Sequence, residues 1–194
     1  MSAAVAAVRV YVGRVREFQP VDWAVYLAWV GSMTLLVALS AAFLAVGRSA
    51  GAAFPAEAYL VPAGAAVFTV AIAVDTIGHR TVYKEVLRGG EALVHHIIIF
   101  AAAGSCVLLC AAYPRHALAA VPAAVLTVVS FVYSLVDEAL HWHRYLSRRS
   151  DPVEMWSHAF ILIGHATMMA GWWRFYLLGY PGVGLTLRAL GGAA

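Results

Sequence analysis

Apolar residues run in five long blocks, near 22–46, 57–80, 91–113, 117–144 and 153–179. Each reaches the roughly 20 mostly apolar residues that a helix needs to cross a bilayer. Between them lie short stretches where Arg, Gly, Pro and Asp gather, such as Gly51 to Pro55, Gly89-Gly90 and Asp151-Pro152. Residues 1–20 differ, because Arg9, Arg14 and Arg16 are spaced among Ala and Val. That pattern predicts an interfacial amphipathic helix, and Pro20 and Asp22 lead from it into the first span. The first block starts too late, and lacks the small-residue cleavage site, for a removable signal peptide.

Composition agrees with the pattern. The chain is 63% hydrophobic and 12% charged, with a mean hydropathy of +0.81, which belongs to membrane proteins. We therefore expect an all-α integral membrane protein, one membrane domain over 1–194 with five transmembrane helices. Net charge +3 reflects Arg at membrane ends and gives no sign of nucleic-acid binding. Basic residues favour the cytoplasmic side. An N-inside arrangement puts Arg9, Arg14, Arg16, Arg80, Lys84, Arg88, Arg144, Arg148 and Arg149 inside, leaving Arg48, Arg115, Arg174 and Arg188 outside. This predicts a cytoplasmic-membrane protein with its N-terminus on the cytoplasmic side. The single Lys, Lys84, falls in a loop, which removes a mid-membrane Schiff base. Cys106 and Cys110 sit one turn apart and read as small apolar packing residues.

The polar positions inside the apolar blocks carry the chemistry. Asp75, His79 and His96 recur as Asp137, His141 and His158, each displaced by 62 positions. Val74/Val136, Tyr83/Tyr145 and Ile99/Ile161 keep that register. The repeat divides the bundle into two helical hairpins, 57–113 and 117–179, and both units have the same topology. The expected pseudo-twofold axis runs along the membrane normal. Asp75 and His79 end the second span and His96 opens the third, with the same order for Asp137, His141 and His158. All six then lie near one face, the cytoplasmic one on this threading.

Positions i and i+4 share a helix face, so each Asp–His pair can aim an oxygen and a nitrogen at one point. A third ligand from the returning helix leaves an open coordination position, as catalytic metal sites do. The bland alternative for an i,i+4 acid–His pair is a salt bridge. Against it, ionisable groups inside spans cost about 2.5–3.5 kcal/mol each and usually mark function. Glu91/His95 and Glu154/His158 form further i,i+4 pairs, and Glu138, His143 and His165 extend the polar cluster. Glu91, His95, His143, Glu154 and His165 are candidates for additional ligands or their supporting partners. Glu138 and His165 are candidate proton relays. His116 and the Trp172-Trp173 pair read as interfacial.

Two segment pairs resemble the C subunit of particulate methane and ammonia monooxygenases. They are VDTIGH (74–79) with HHIIIF (95–100), and VDEALHWH (136–143) with PVEMWSHAFILIG (152–164). The resemblance covers about residues 70–165. It implies copper at Asp75, His79 and His96, with a neighbouring site at Asp137, His141 and His158. Asp137 stands where that family has Asn, and its added negative charge keeps di-iron as an alternative; haem b is a weaker one.

These observations lead to a membrane-embedded, metal-dependent oxidoreductase, an oxygen-activating monooxygenase or a subunit of one, acting on a small or apolar substrate. A transition-metal-ion transporter and a b-type cytochrome electron carrier are the alternatives. No nucleotide-binding glycine fingerprint, flavin site or iron–sulfur motif is present. Electrons are therefore expected from a quinol or a redox protein, with partner subunits, further copies of the chain and the lipid bilayer as the other partners.

Overall fold

The computed structural model describes residues 3–83, 90–111, 113, 116–148 and 151–191. Lys84, Arg88, Arg115 and Arg149 lie outside the described residues, as do the side chains of His116 and Arg148. The described chain is all helix: α1 (Ala3–Gly13), a short 3-10 turn (Arg14–Glu17), α2 (Pro20–Ser49), α3 (Ala56–Thr81), α4 (Gly90–Ala111), α5 (His116–Arg148), α6 (Pro152–Leu178) and α7 (Gly182–Ala189). The protein is an all-α integral membrane protein. Among the described residues, α2, α3, α4 and α5 are long and apolar enough to cross a membrane.

The fifth expected span, α6, has the length but less apolar character. Its 27 residues extend about 40 Å at 1.5 Å per residue. It gives up hydropathy because Glu154, His158 and His165 are turned inward and buried. Local signals fix its ends. The Asp151 side chain accepts a hydrogen bond from the Val153 amide at 2.9 Å, Pro152 occupies the first turn, and Gly179 closes it with φ 56°. Such an acidic cap, proline start and left-handed glycine stop define a helix without tertiary help.

The most extensive packing joins α3 with α6 and α4 with α5. Each of these pairs takes one helix from each sequence repeat, so the two expected hairpins interlock rather than standing as separate units. Exchanging α3 with α5 and α4 with α6 maps one close pair onto the other, as a pseudo-twofold relation requires. Small residues bring α3 and α6 together. A Cβ on Gly164 would lie 2.5 Å from the Phe68 amide nitrogen, and one on Gly171 would lie 2.9 Å from the Glu57 carbonyl. Close backbone approach of this kind is how helices associate in lipid, where the hydrophobic effect between them is absent.

The first span, α2, packs on α3 and on α7. Its start is tied down by Asp22, which accepts a hydrogen bond from Arg80 Nε at 2.7 Å and forms an ion pair with Arg80 Nη2 at 2.5 Å. Helix α1 carries exposed Val5, Val8 and Val10, as an interfacial helix does, yet it also docks Tyr11 into the bundle at 1% exposure. Tyr11 lies against Gly78, where a Cβ would strike its hydroxyl.

Candidate metal centre

Four helix ends meet at one end of the bundle. Helices α3 and α5 bring Asp75/His79 and Asp137/His141 from their C-terminal halves, while α4 and α6 bring Glu91/His95 and Glu154/His158 from their first two turns. Each pair is spaced i,i+4, so both members point to the same side of their helix. The result is a set of four His, two Asp and two Glu around a common volume.

Among the described residues, three overlapping groups have ligand atoms within 4.8 Å of one another: Asp75, His79 and His158; Asp137, His141 and His158; and His79, Glu91, His95 and His141. His158 lies between the two aspartates, with Nε2 at 2.9 Å from Asp75 Oδ1 and Nδ1 at 3.5 Å from Asp137 Oδ2. His79 Nε2 is 3.5 Å from Asp75 Oδ2, and His141 Nε2 is 3.5 Å from Glu91 Oε1 and 3.6 Å from Asp137 Oδ1. His95 Nε2 reaches Asp137 Oδ1 at 3.0 Å. Metal–ligand bonds near 2.1 Å put neighbouring donors about 3.0–3.4 Å apart in octahedral or tetrahedral sites, and the observed separations bracket that range. The His141 and His158 rings stack with centroids 3.5 Å apart.

Several of these atoms lack a hydrogen bond. Asp75 Oδ1, both ring nitrogens of His79, Glu91 Oε1, His141 Nε2 and His158 Nε2 are buried with no aligned partner. The short Asp75–His158 approach therefore places donor atoms together without satisfying them. Each buried unsatisfied polar group costs about 1–3 kcal/mol, and a shared cation would offset that cost for the atoms that ligate it.

Supporting contacts orient the donors. Glu154 Oε1 lies 3.1 Å from His141 Nδ1. With the proton on Nδ1, His141 presents the Nε2 lone pair to the centre. Arg144 straddles the two glutamates, donating from Nη2 to Glu91 Oε2 at 2.5 Å and from Nη1 to Glu154 Oε1 at 3.1 Å. Its guanidinium also lies 5.5 Å from the Tyr83 ring centroid. Burial, reinforced by the facing Glu154 carboxylate, pushes the Tyr83 hydroxyl well above its ordinary range. Tyr83 therefore stays a neutral donor beside the centre.

Most expected site residues converge, with one change of register. Asp75, His79, Asp137, His141 and His158 come together, but His96 stands exposed one position round α4 and belongs to none of the three groups. His95 takes its place. The physical reason is a one-residue shift between the halves: Glu91 and His95 match Glu154 and His158 at a displacement of 63, not 62. The Glu-x3-His spacing common to both returning helices was the signal for this register. Glu91 and His95 enter a ligand group, whereas Glu154 serves His141 from outside. His143 is exposed and stands apart from the three groups.

Glu138 Oε1 approaches His158 Nδ1 at 3.9 Å, beside the donors rather than among them. His165 lies seven residues beyond His158, about 10 Å deeper. It is buried at 2% exposure, stacked on Phe131 at 4.5 Å. Comparison with family models, curated proteins and solved structures yields no match.

Proposed function

We propose that the protein is a membrane-embedded oxidoreductase in which a dinuclear metal centre activates dioxygen against an apolar substrate, with iron the first choice and copper the second. One observation supports this reading: among the described residues, seven His and carboxylate side chains meet inside a membrane bundle with several buried donor atoms unsatisfied. Three carboxylates beside four imidazoles suit iron or manganese better than the softer copper(I). Paired carboxylate and His donors from facing helices are also how helix bundles hold two such ions. Copper rests on the resemblance to the membrane monooxygenases.

Asp75, His79, Asp137, His141 and His158 would hold the ions, with Glu91 and His95 closing the α4 side. Such ions, when bound, supply Lewis acidity and a route for electrons to dioxygen. The chain's own contribution is geometric and electrostatic. Glu154 fixes the His141 tautomer, and Arg144 offsets part of the charge of four carboxylates. Glu138, beside His158, is positioned to carry protons to or from the centre.

The test is metal analysis with X-ray absorption on protein purified in native lipid, comparing wild type with His79→Ala and His141→Ala. Two ions per chain in wild type, lost in each variant, are expected. Metal content unchanged in both variants would sink the reading. Metal flux across proteoliposomes without oxygen consumption would assign the same donors to transport instead.

A further inference from the structure

A cavity of about 680 Å³ opens from the donor cluster into the apolar part of the bundle. Its size falls within the roughly 300–1,000 Å³ of ligand-holding cavities. Asp75, His95, Asp137 and His158 line one end, and Phe68 and His165 line the other. Arg80 to Phe68 along α3 is 12 residues, so the cavity extends about 18 Å towards the bilayer interior. Its side walls are Val25, Ala28 and Trp29 from α2, Ile98 and Ile99 from α4, and Leu162 from α6.

The wall between α2 and α4 is the weak one. Helix α2 packs on α3 and α7, and α4 packs on α5, so among the described residues no extensive helix contact closes the α2–α4 side. That side faces lipid in a membrane-spanning bundle. A long, mostly apolar slot with a lateral opening and its carboxylates gathered at one end suits an extended hydrocarbon; Ser32 and His165 are among the few polar side chains farther along it. A polar molecule filling the slot would leave most of its hydrogen-bonding groups against apolar walls, and a gas molecule needs far less room.

We propose that this cavity is a lateral port for one long hydrocarbon chain, which enters between α2 and α4 and lies along the slot with its surface-proximal end against the donor cluster. The substrate of the oxidoreductase reading is then a long-chain lipid, and that assignment of chemistry rests on the reading above, whereas chain binding does not. Two sources offer the same chain: a free long-chain acid and the acyl chain of a phospholipid.

Photolabelling tests the port. The full chain, in nanodiscs, is exposed to a palmitic acid or a phosphatidylcholine bearing a mid-chain alkyl diazirine, and adducts are mapped by peptide mass spectrometry. Adducts on Trp29, Ile99 and Leu162 should exceed those on outward-facing Val128 and Leu135 at least fivefold, although these two are 60% and 58% exposed. Whichever probe gives that enrichment identifies the source. Ala28→Trp and Ile99→Trp fill the slot from opposite walls, so one informative variant suffices if the other misfolds. Each should cut cavity labelling about tenfold and leave Val128 labelling and metal content unchanged. Labelling spread evenly over cavity and outward positions, or unaffected by both fillings, overturns the port. Cavity labelling in wild-type protein that holds no metal would keep the port and sink the oxidoreductase reading alone.

Discussion

Replacing His95 and His96 separately by Ala separates two registers of the same repeat. The two residues are adjacent, equal in chemistry and both beside the cavity, so composition and helix propensity are matched. Only His95 has its Nε2 at 3.0 Å from Asp137 Oδ1 and shares a ligand group with His79, Glu91 and His141. Loss of an outer-shell partner typically weakens metal binding 10–100-fold, and loss of a direct ligand exceeds that. His95→Ala should therefore weaken binding by about 100-fold or more, roughly 2.7 kcal/mol. His96→Ala should stay within about threefold, roughly 0.65 kcal/mol. Chelator competition on protein purified in lipid, with thermal melting as the control for folding, measures both. Equal losses in the two variants, or a larger loss at His96, would refute the 63-residue register and the donor set built on it.

Three further outcomes follow from the same geometry. Arg144→Gln leaves Glu91 and Glu154 without their shared cation; breaking such buried pairs costs about 3–5 kcal/mol. The metal-free protein should melt markedly earlier, and metal should restore most of the loss, as differential scanning fluorimetry can show. Gly164→Ala forces a Cβ against the Phe68 amide nitrogen at 2.5 Å, an overpacking worth about 1–3 kcal/mol. By prising α6 from α3 it should also weaken metal binding about tenfold in the chelator assay; a variant that melts and binds as wild type would show that this contact does not set the Asp75–His158 approach. Glu138→Gln should keep its metal within about threefold while lowering oxygen consumption about 100-fold, the scale of general acid–base help. Loss of metal in that variant would make Glu138 a ligand rather than a relay.

Much of this arrangement was written in the chain. Block length and hydropathy predict the helices, and the 62-residue displacement of Asp75/His79 to Asp137/His141 marks two of the four ligand-bearing helix ends. The third ligand of the first half is less legible, because His95 and His96 are neighbours and an unchanged 62-residue displacement through the intervening turn selects His96. A one-residue difference there rotates every position of α4 by about 100°, enough to bring His95 rather than His96 against Asp137. The role of Arg144 was not legible at all. Its three-residue offset from His141 shows it on a similar face, but the simultaneous reach to Glu91 and Glu154 depends on how α4, α5 and α6 pack. Helix α6 shows the opposite limit: inward polar side chains lower its hydropathy, so composition alone makes it the least obvious span.

The interlocked pairing of α3 with α6 and α4 with α5 has an evolutionary consequence. The donors reach across the repeat, since Asp75 meets His158 and Asp137 meets His95, and the first half closes no ligand group without the second. Two identical copies of one half, related by a true twofold axis, would present the full complement of donors. A gene encoding a single hairpin could thus have made this centre as a homodimer before duplication and fusion, in keeping with the prevalence of twofold assemblies. Arg144 faces in from one half only, where the matching position of the other half is Val82. Fusion is what permits that difference: a homodimer must carry two such cations or none, whereas a single chain can keep one and make the two halves of the centre unequal.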